Sequence, residues 1–349
     1  MTGMGGDAAK SVPLVSVIVP VRNERAHIEG LLASILAQEV GFSLEVIVAD
    51  GMSDDGTDEV LRRFAERDVR IRVIPNADRI VSTGLNAAVR SARGEIVVRM
   101  DAHTQYASDY IARCVGSLLA TGADNVGGPW RAVGSTYVQS AVALAFQSPF
   151  SSGGAGSHRL GHEGPVDSVY LGCWRRETLL ALGPFDEELI RNQDDELNLR
   201  LIRAGGLVWQ DPRIESHYSP RSSLRGLARQ QAQYGYWKVR VIQKHRFPAS
   251  VRHLVPGAFV ASLLALAPLA ILARWARTML AVLMGLYAIV DLAASLLTCR
   301  RSDQRRYLPV MPLVFAAFHL GYGWGFLRGM VDFLILQRRG RRQYEKLTR

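Results

Sequence analysis

The chain has 349 residues, enough to exceed one average domain and to bury a sizeable core. Its net charge of +10 lies in residues 250–349, which hold 14 of the 42 Lys and Arg but only 4 of the 32 Asp and Glu; the preceding residues carry 28 of each sign. That basic third also holds the long apolar runs, so its charge reads as flanking of membrane segments and attraction to anionic lipid, and argues against a nucleic-acid partner. The three cysteines, Cys114, Cys173 and Cys299, include no CxxC pair and offer no zinc or disulfide framework.

Residues 1–14 are small and polar without the apolar stretch of a secretory signal, which predicts a flexible N-terminus and a first domain that stays cytoplasmic. Val15 to Pro20 is a β-branched run closed by proline, a central strand entering a loop. Ile28, Leu31, Leu32, Ile35 and Leu36 then form one helical stripe. Leu44 to Ala49 is a second strand with Asp50 at its carboxyl edge, followed by a helix over Thr57 to Arg67 with Thr57 as its cap. A third strand (Ile71 to Ile74), a helix (Ser82 to Ala92) and a fourth strand (Glu95 to Met100) complete four strand–helix alternations, the pattern of an open, mostly parallel α/β sheet. Ligands in such sheets bind at the carboxyl ends of the strands. That edge carries Asn23, Glu24, Asp50, Asp101 and His103, with no GxGxxG or GxxxxGK[ST] loop, so phosphate would have to be held through a metal.

Beyond residue 249 the composition changes. Pro256 to Ala273 and Leu308 to Leu327 hold no charge, and Met279 to Cys299 holds only Asp291; each is near the length that spans a bilayer. Pro256 to Ala273 and Met279 to Cys299 read as a helical hairpin across the membrane, returning Arg300, Arg301, Arg305 and Arg306 to the cytoplasm. A full crossing by the third, apolar over 308–336, would export the basic tail 337–349, so its four glycines, Gly321, Gly323, Gly325 and Gly329, favour a re-entrant or interfacial element.

Asp101 and His103, two apart at a strand end, project to one side and could share a divalent cation; equally, Asp101 could cap the next helix and His103 be polar surface. A second acidic group, Asp194, Asp195 and Glu196, opens a helix, where carboxylates are dipole partners or a presented general base. His158, His162 and Glu163 fall in a glycine-rich loop that reads better as a cover for substrate than as a zinc site.

These stretches together, Val15 to Glu24, Ala49 to Thr57, Asp101 to His103 and the Gln193-Asp194 cluster, resemble the inverting nucleotide-sugar glycosyltransferases of family two, over residues 13 to 245 and in the family's order. The loop over His158 to Gly164 and the run Gly172 to Arg176 are most similar to succinoglycan-type exopolysaccharide glucosyltransferases. The resemblance implies a GT-A fold, Rossmann-like with a mostly parallel sheet, over 15–249, followed by C-terminal transmembrane helices near 256–273 and 279–299. It implies a nucleotide-sugar site of Pro20, Val21, Asn23, Glu24, Asp50, Ser53 and Asp101. A Mn²⁺ or Mg²⁺ site of Asp101, His103 and His217 follows in the same way, with Asp194 as catalytic base. Trp174, Arg175, Tyr236 and Trp237 are the expected acceptor contacts.

Three positions depart from the family pattern: Gly51 replaces an acidic residue, His103 ends the DxD, and Gln193 replaces the glutamate before the base. The QxxRW of polysaccharide synthases reads Gln233-Tyr234-Gly235-Tyr236-Trp237 here. The resemblance therefore implies transfer of one hexose, glucose from UDP-glucose, to a lipid-linked oligosaccharide at the cytoplasmic face of a bacterial-type inner membrane. The rivals are a processive synthase and a catalytically inactive nucleotide-sugar-binding scaffold.

Overall fold

The computed structural model describes residues 14–246, 248, 250–338, 340 and 344. The expected flexible N-terminus therefore lies outside the described residues except for Leu14, as does most of the expected basic tail.

In chain order the elements are β1 (Leu14–Val21), α1 (Ile28–Leu36), β2 (Ser43–Asp50), α2 (Thr57–Arg67), β3 (Ile71–Pro75), α3 (Val81–Ser91), β4 (Ile96–Arg99), β5 (Thr104–Tyr106), α4 (Tyr110–Thr121), β6 (Asn125–Gly128), β7 (Arg131–Ala132), α5 (Tyr137–Phe146), α6 (Pro149–Ser152), β8 (Gly164–Pro165), β9 (Tyr170–Arg175), α7 (Arg176–Leu182), α8 (Gln193–Arg203), β10 (Val208–Gln210), β11 (Ser216–Tyr218), α9 (Leu224–His245), α10 (Val255–Leu272), α11 (Arg274–Arg301) and α12 (Met311–Gly329). The main sheet has the order β3-β2-β1-β4-β9-β6-β10-β8, and β5, β11 and β7 form a small second sheet. β1 runs parallel to β2 and β4, and β2 to β3, as the strand–helix alternation requires. β9 enters antiparallel between β4 and β6.

Both faces of the sheet are covered, which is why β1 is apolar along its length rather than alternating. Val15, Val17 and Val19 pack with Val46 and Val48 beneath α1 and α4. Ile18, Ile47 and Val97 face the other way onto Leu85, Ala88 and Leu197 of α3 and α8. Each such fully buried side chain contributes on the order of 1.5–3 kcal/mol. Thr57 does not cap α2; it is the first helical residue after Gly56, and its hydroxyl serves the loop after β1 instead.

The C-terminal third is helical. α10 and α11, separated by Ala273 alone, lie in the two segments, Val251–Leu272 and Arg274–Arg301, that are long and apolar enough to cross a membrane, each with a mean hydropathy of 2.2. Their apolar side chains, Leu272, Met279, Val282 and Ile289 among them, face outward. α12 is one continuous helix that runs into a π-helical turn over Met330–Ile335 and packs along α9, which fits the interfacial rather than the re-entrant form of the expectation for 308–336. Its glycines explain the contact. A Cβ at Gly321, Gly325 or Gly329 would collide with the backbone of Ala228, Ala232 or Tyr236, so glycine at every fourth position lets the two backbones touch.

Candidate active site

The loops after β1 and β2 are stitched into one unit. Gly51 N–H donates to the Val21 carbonyl at 2.8 Å. Asn23 N–H donates to Ser53 Oγ at 2.8 Å, and that hydroxyl donates to Asp50 Oδ1 at 2.6 Å. Asn23 and Asp54 exchange two hydrogen bonds of 2.8 and 2.9 Å, and Glu24 N–H donates to Thr57 Oγ1 at 2.9 Å. Asn23 and Met52 hold left-handed backbone, φ 55° and 56°, strain of the kind that persists where the surroundings over-determine a site. The expected nucleotide residues Pro20, Val21, Asn23, Glu24, Asp50 and Ser53 are thus one surface at the carboxyl edge.

Asp101, just beyond β4, accepts a bidentate pair from Arg99, Nε to Oδ1 and Nη2 to Oδ2, both 2.9 Å. Its backbone N–H donates to the Tyr106 hydroxyl at 2.6 Å, and Thr104 Oγ1 lies 2.8 Å from the Tyr170 hydroxyl. His103 is half-exposed, its Nδ1 3.7 Å from Glu24 Oε1. His217 sits in the small sheet opposite Gln105 and Arg131. Among the described residues no three His, Cys, Asp or Glu side chains are close enough to form a cation cluster, so Asp101, His103 and His217 are not a ready-made ligand set.

Asp194 occupies the first turn of α8, whose preceding residue Asn192 is left-handed (φ 64°) and donates from Nδ2 to the Tyr234 carbonyl at 2.9 Å. Its Oδ1 accepts from Asp195 N–H at 3.0 Å. Burial pushes the Asp194 carboxyl above the usual range, the Arg99 guanidinium partly offsets this, and the adjacent Asp195 charge adds to it. Asp195 behaves oppositely: burial would raise it, but the Lys238 ammonium, with smaller help from Arg252, holds it low. Gln193, where a glutamate was expected, is buried with Oε1 lacking a partner and adds no charge beside the base.

α9 clamps this helix start in place. Lys238 pairs with Asp195, Arg240 with Glu188 and His245 Nε2 with Glu196 at 3.0 Å.

The acceptor expectations are corrected. Because β9 is antiparallel to β4, Trp174 and Arg175 lie beside Val97 and Ile96 at the opposite edge of the sheet from Asp101. Trp174 is core, packed edge-on against Phe185. Tyr236 and Trp237 are buried as well: Tyr236 stacks on Tyr344 at 4.1 Å and donates to Asp332 Oδ2, and Trp237 Nε1 donates to the Tyr344 carbonyl. The same antiparallel strand brings its start, Tyr170, to the site. Arg99, Tyr106, Tyr170 and Lys238 escaped sequence reasoning; for Arg99 the signal was a charge in an apolar strand at the parity of Asp101.

The family model described as glycosyl transferase family 2 matches residues 16–179. Over 322 residues the chain is 33% identical to the succinoglycan biosynthesis protein ExoA of Rhizobium meliloti (strain 1021), covering 91% of this chain and 95% of that protein. The chain belongs to glycosyl transferase family 2. This family-2 chain is also 23% identical over 330 residues to a dolichyl N-acetyl-α-D-glucosaminyl phosphate 3-β-D-2,3-diacetamido-2,3-dideoxy-β-D-glucuronosyltransferase of Methanococcus voltae, covering 91% of this chain and 97% of the relative. The structure of the mannosyltransferase PcManGT from Pyrobaculum calidifontis, in complex with GDP-Man and Mn²⁺, superposes with a TM-score of 0.57 at 23% identity over 90% of this chain and 88% of that one, which shows the GT-A fold. Of the side chains at this edge, the His103 imidazole and the Glu24 carboxylate, 3.7 Å apart, are the pair a divalent cation could meet, while Asp101 is paired with Arg99.

Proposed function

We propose that this family-2 glycosyltransferase is an inverting enzyme that moves one hexose, glucose from UDP-glucose, onto a lipid-linked oligosaccharide in exopolysaccharide assembly. The observation that carries the reading is Asp194, a buried carboxylate in the first turn of α8 close enough to Arg99, at the end of β4, for their charges to act on each other. The loops hold the nucleotide, with Asp50 toward the base and Glu24 toward the ribose. Asp194 accepts the proton of the acceptor hydroxyl, whose oxygen attacks the anomeric carbon as the bond to the diphosphate breaks on the opposite face. His103, with Glu24 and Asp101, would be the residues to hold a divalent cation here, which when bound would neutralise charge on the leaving diphosphate. A raised carboxyl pKa makes Asp194 a stronger base once ionised.

The acceptor's lipid character has its own support. The Arg252 guanidinium, in the turn before α10, lies close enough to help hold the Asp195 carboxyl low, so the residue beside the proposed base stands near the start of the apolar helices. This favours an enzyme attached to the inner membrane with its catalytic domain toward the cytoplasm. The succinoglycan relative supports the exopolysaccharide setting.

A donor screen tests the reading: purified full-length protein in detergent, UDP-glucose against other UDP- and GDP-sugars, with a lipid-linked oligosaccharide extract, reading released nucleotide with and without EDTA. UDP release from UDP-glucose with one sugar added per acceptor is expected. Nucleotide binding without turnover on any donor establishes the scaffold instead, and polymer growth establishes the processive synthase.

A further inference from the structure

One face of α11 changes character toward the end of the helix. Ala294, Leu297, Thr298, Arg301 and the C-cap Ser302 follow at spacings of three, one, three and one, which puts them on a single stripe. The first two are apolar and the last three polar, a change completed within about 10 Å of helix. With Leu144 of α5 and Phe150 of α6 opposite, this stripe lines a cavity of about 300 Å³, at the small end of ligand sites, with room for a headgroup and the start of a chain. The walls are fastened to each other. The Tyr137 hydroxyl donates to the Arg306 carbonyl at 2.6 Å, Thr298 Oγ1 to Ser148 Oγ at 3.0 Å, and His319 Nε2 lies 2.9 Å from the Phe150 carbonyl. Among the described residues Arg301 is the one charged side chain lining the cavity, and no carboxylate faces it there. Leu297 is 54% exposed, so the apolar half opens outward, on the side where α11 presents its apolar residues.

We propose that this cavity seats one anionic phospholipid of the bilayer, its phosphate at Arg301 and Thr298 and the start of its acyl chain over Ala294, Leu297 and Phe150. Polarity along the stripe runs in the order of a lipid leaflet, from chain to headgroup. A free phosphate answers only the Arg301 end, and a neutral lipid only the apolar end. The lipid braces the hairpin against the catalytic domain close to the candidate active site. Gln147, also in the lining, donates from Nε2 to the Trp130 carbonyl at 2.9 Å, and Trp130 stacks on Tyr170 with centroids 5.3 Å apart. The inference rests on the reading of α10 and α11 as membrane helices.

The test is native mass spectrometry of the full-length protein in detergent, titrated with phosphatidylglycerol or phosphatidylcholine of equal chain length, with glycerol phosphate and a polyprenyl phosphate as competitors. Wild type is expected to hold one phosphatidylglycerol in preference to phosphatidylcholine. Arg301→Gln should weaken that binding roughly fivefold, the scale of one basic contact with an anionic headgroup, and Arg301→Lys should keep most of it. Arg300→Gln removes the same charge outside the lining and should leave binding unchanged. Equal loss in Arg300→Gln and Arg301→Gln, or equal binding of the two lipids, overturns the site in favour of diffuse attraction. Displacement by glycerol phosphate overturns it in favour of a simple anion site, and displacement by the polyprenyl phosphate ahead of phosphatidylglycerol overturns it in favour of the acceptor's lipid carrier. Flotation with phosphatidylcholine vesicles tests the membrane reading separately. Protein that does not float fails that reading and the lipid site with it, whereas protein that floats without preferring phosphatidylglycerol loses the site alone.

Discussion

The ammonium of Lys238, midway along α9, pairs with the carboxylate of Asp195, the residue beside the proposed base. The Lys238 side chain is 8% exposed and Asp195 is 35% exposed, so the pair is screened on one side only. Replacing Lys238 by Met strands a carboxylate next to Asp194. Allowing for that exposure, the loss of stability should be about 1–3 kcal/mol. Chemical denaturation of Lys238→Met, Asp195→Asn and the double variant checks this, with the double variant recovering part of the loss.

The raised pKa of Asp194 fixes the sign of two pH effects. A base must be ionised, so the acid limb of the kcat profile should lie above the ordinary aspartate range, about 3.9. A carboxyl whose folded-state pKa exceeds its unfolded value binds more protons when folded, so its stabilising effect is present at low pH and lost as pH rises through the folded pKa. Asp194→Asn should therefore raise the melting temperature at neutral pH relative to wild type and leave it nearly unchanged in acid. Thermal melts at two pH values check this.

The glycine comb of α12 predicts a local intolerance to a methyl group. Gly325→Ala drives a Cβ into the Ala232 carbonyl and should cost about 1–3 kcal/mol as overpacking. Gly285→Ala in α11, where a Cβ meets nothing within 4 Å, should be neutral when both variants are unfolded by chemical denaturant in detergent.

Most of the sheet was legible because period and punctuation agree: Val15 to Pro20 and Leu44 to Ala49 are β-branched runs closed by loop residues, and their helices carry apolar stripes. β9 was not, since Tyr170 to Arg175 has no feature that distinguishes an antiparallel insertion from another parallel strand, and that direction sends Trp174 and Arg175 away from Asp101. The aromatic residues of α9 looked like sugar contacts because their partners, Phe333 and Tyr344, lie about a hundred residues downstream. The glycines of 321–329, read as favouring a re-entrant or interfacial element, mark close packing of α12 on α9. Asp194 was legible as a carboxylate at a helix start, but Arg99, which acts on it, and Lys238, which pairs with the adjacent Asp195, come from β4 and α9 and only the fold assembles them.

Asp194→Asn is the most direct test of transfer by a general base in this site. With the donor that releases nucleotide in the screen, the variant should lose roughly 10²–10⁴ of kcat, while its affinity for the same nucleotide, measured by calorimetry, stays within twofold of wild type. A variant that keeps more than about a tenth of wild-type turnover contradicts the assignment of Asp194 as base, since a positioned general base contributes more than that.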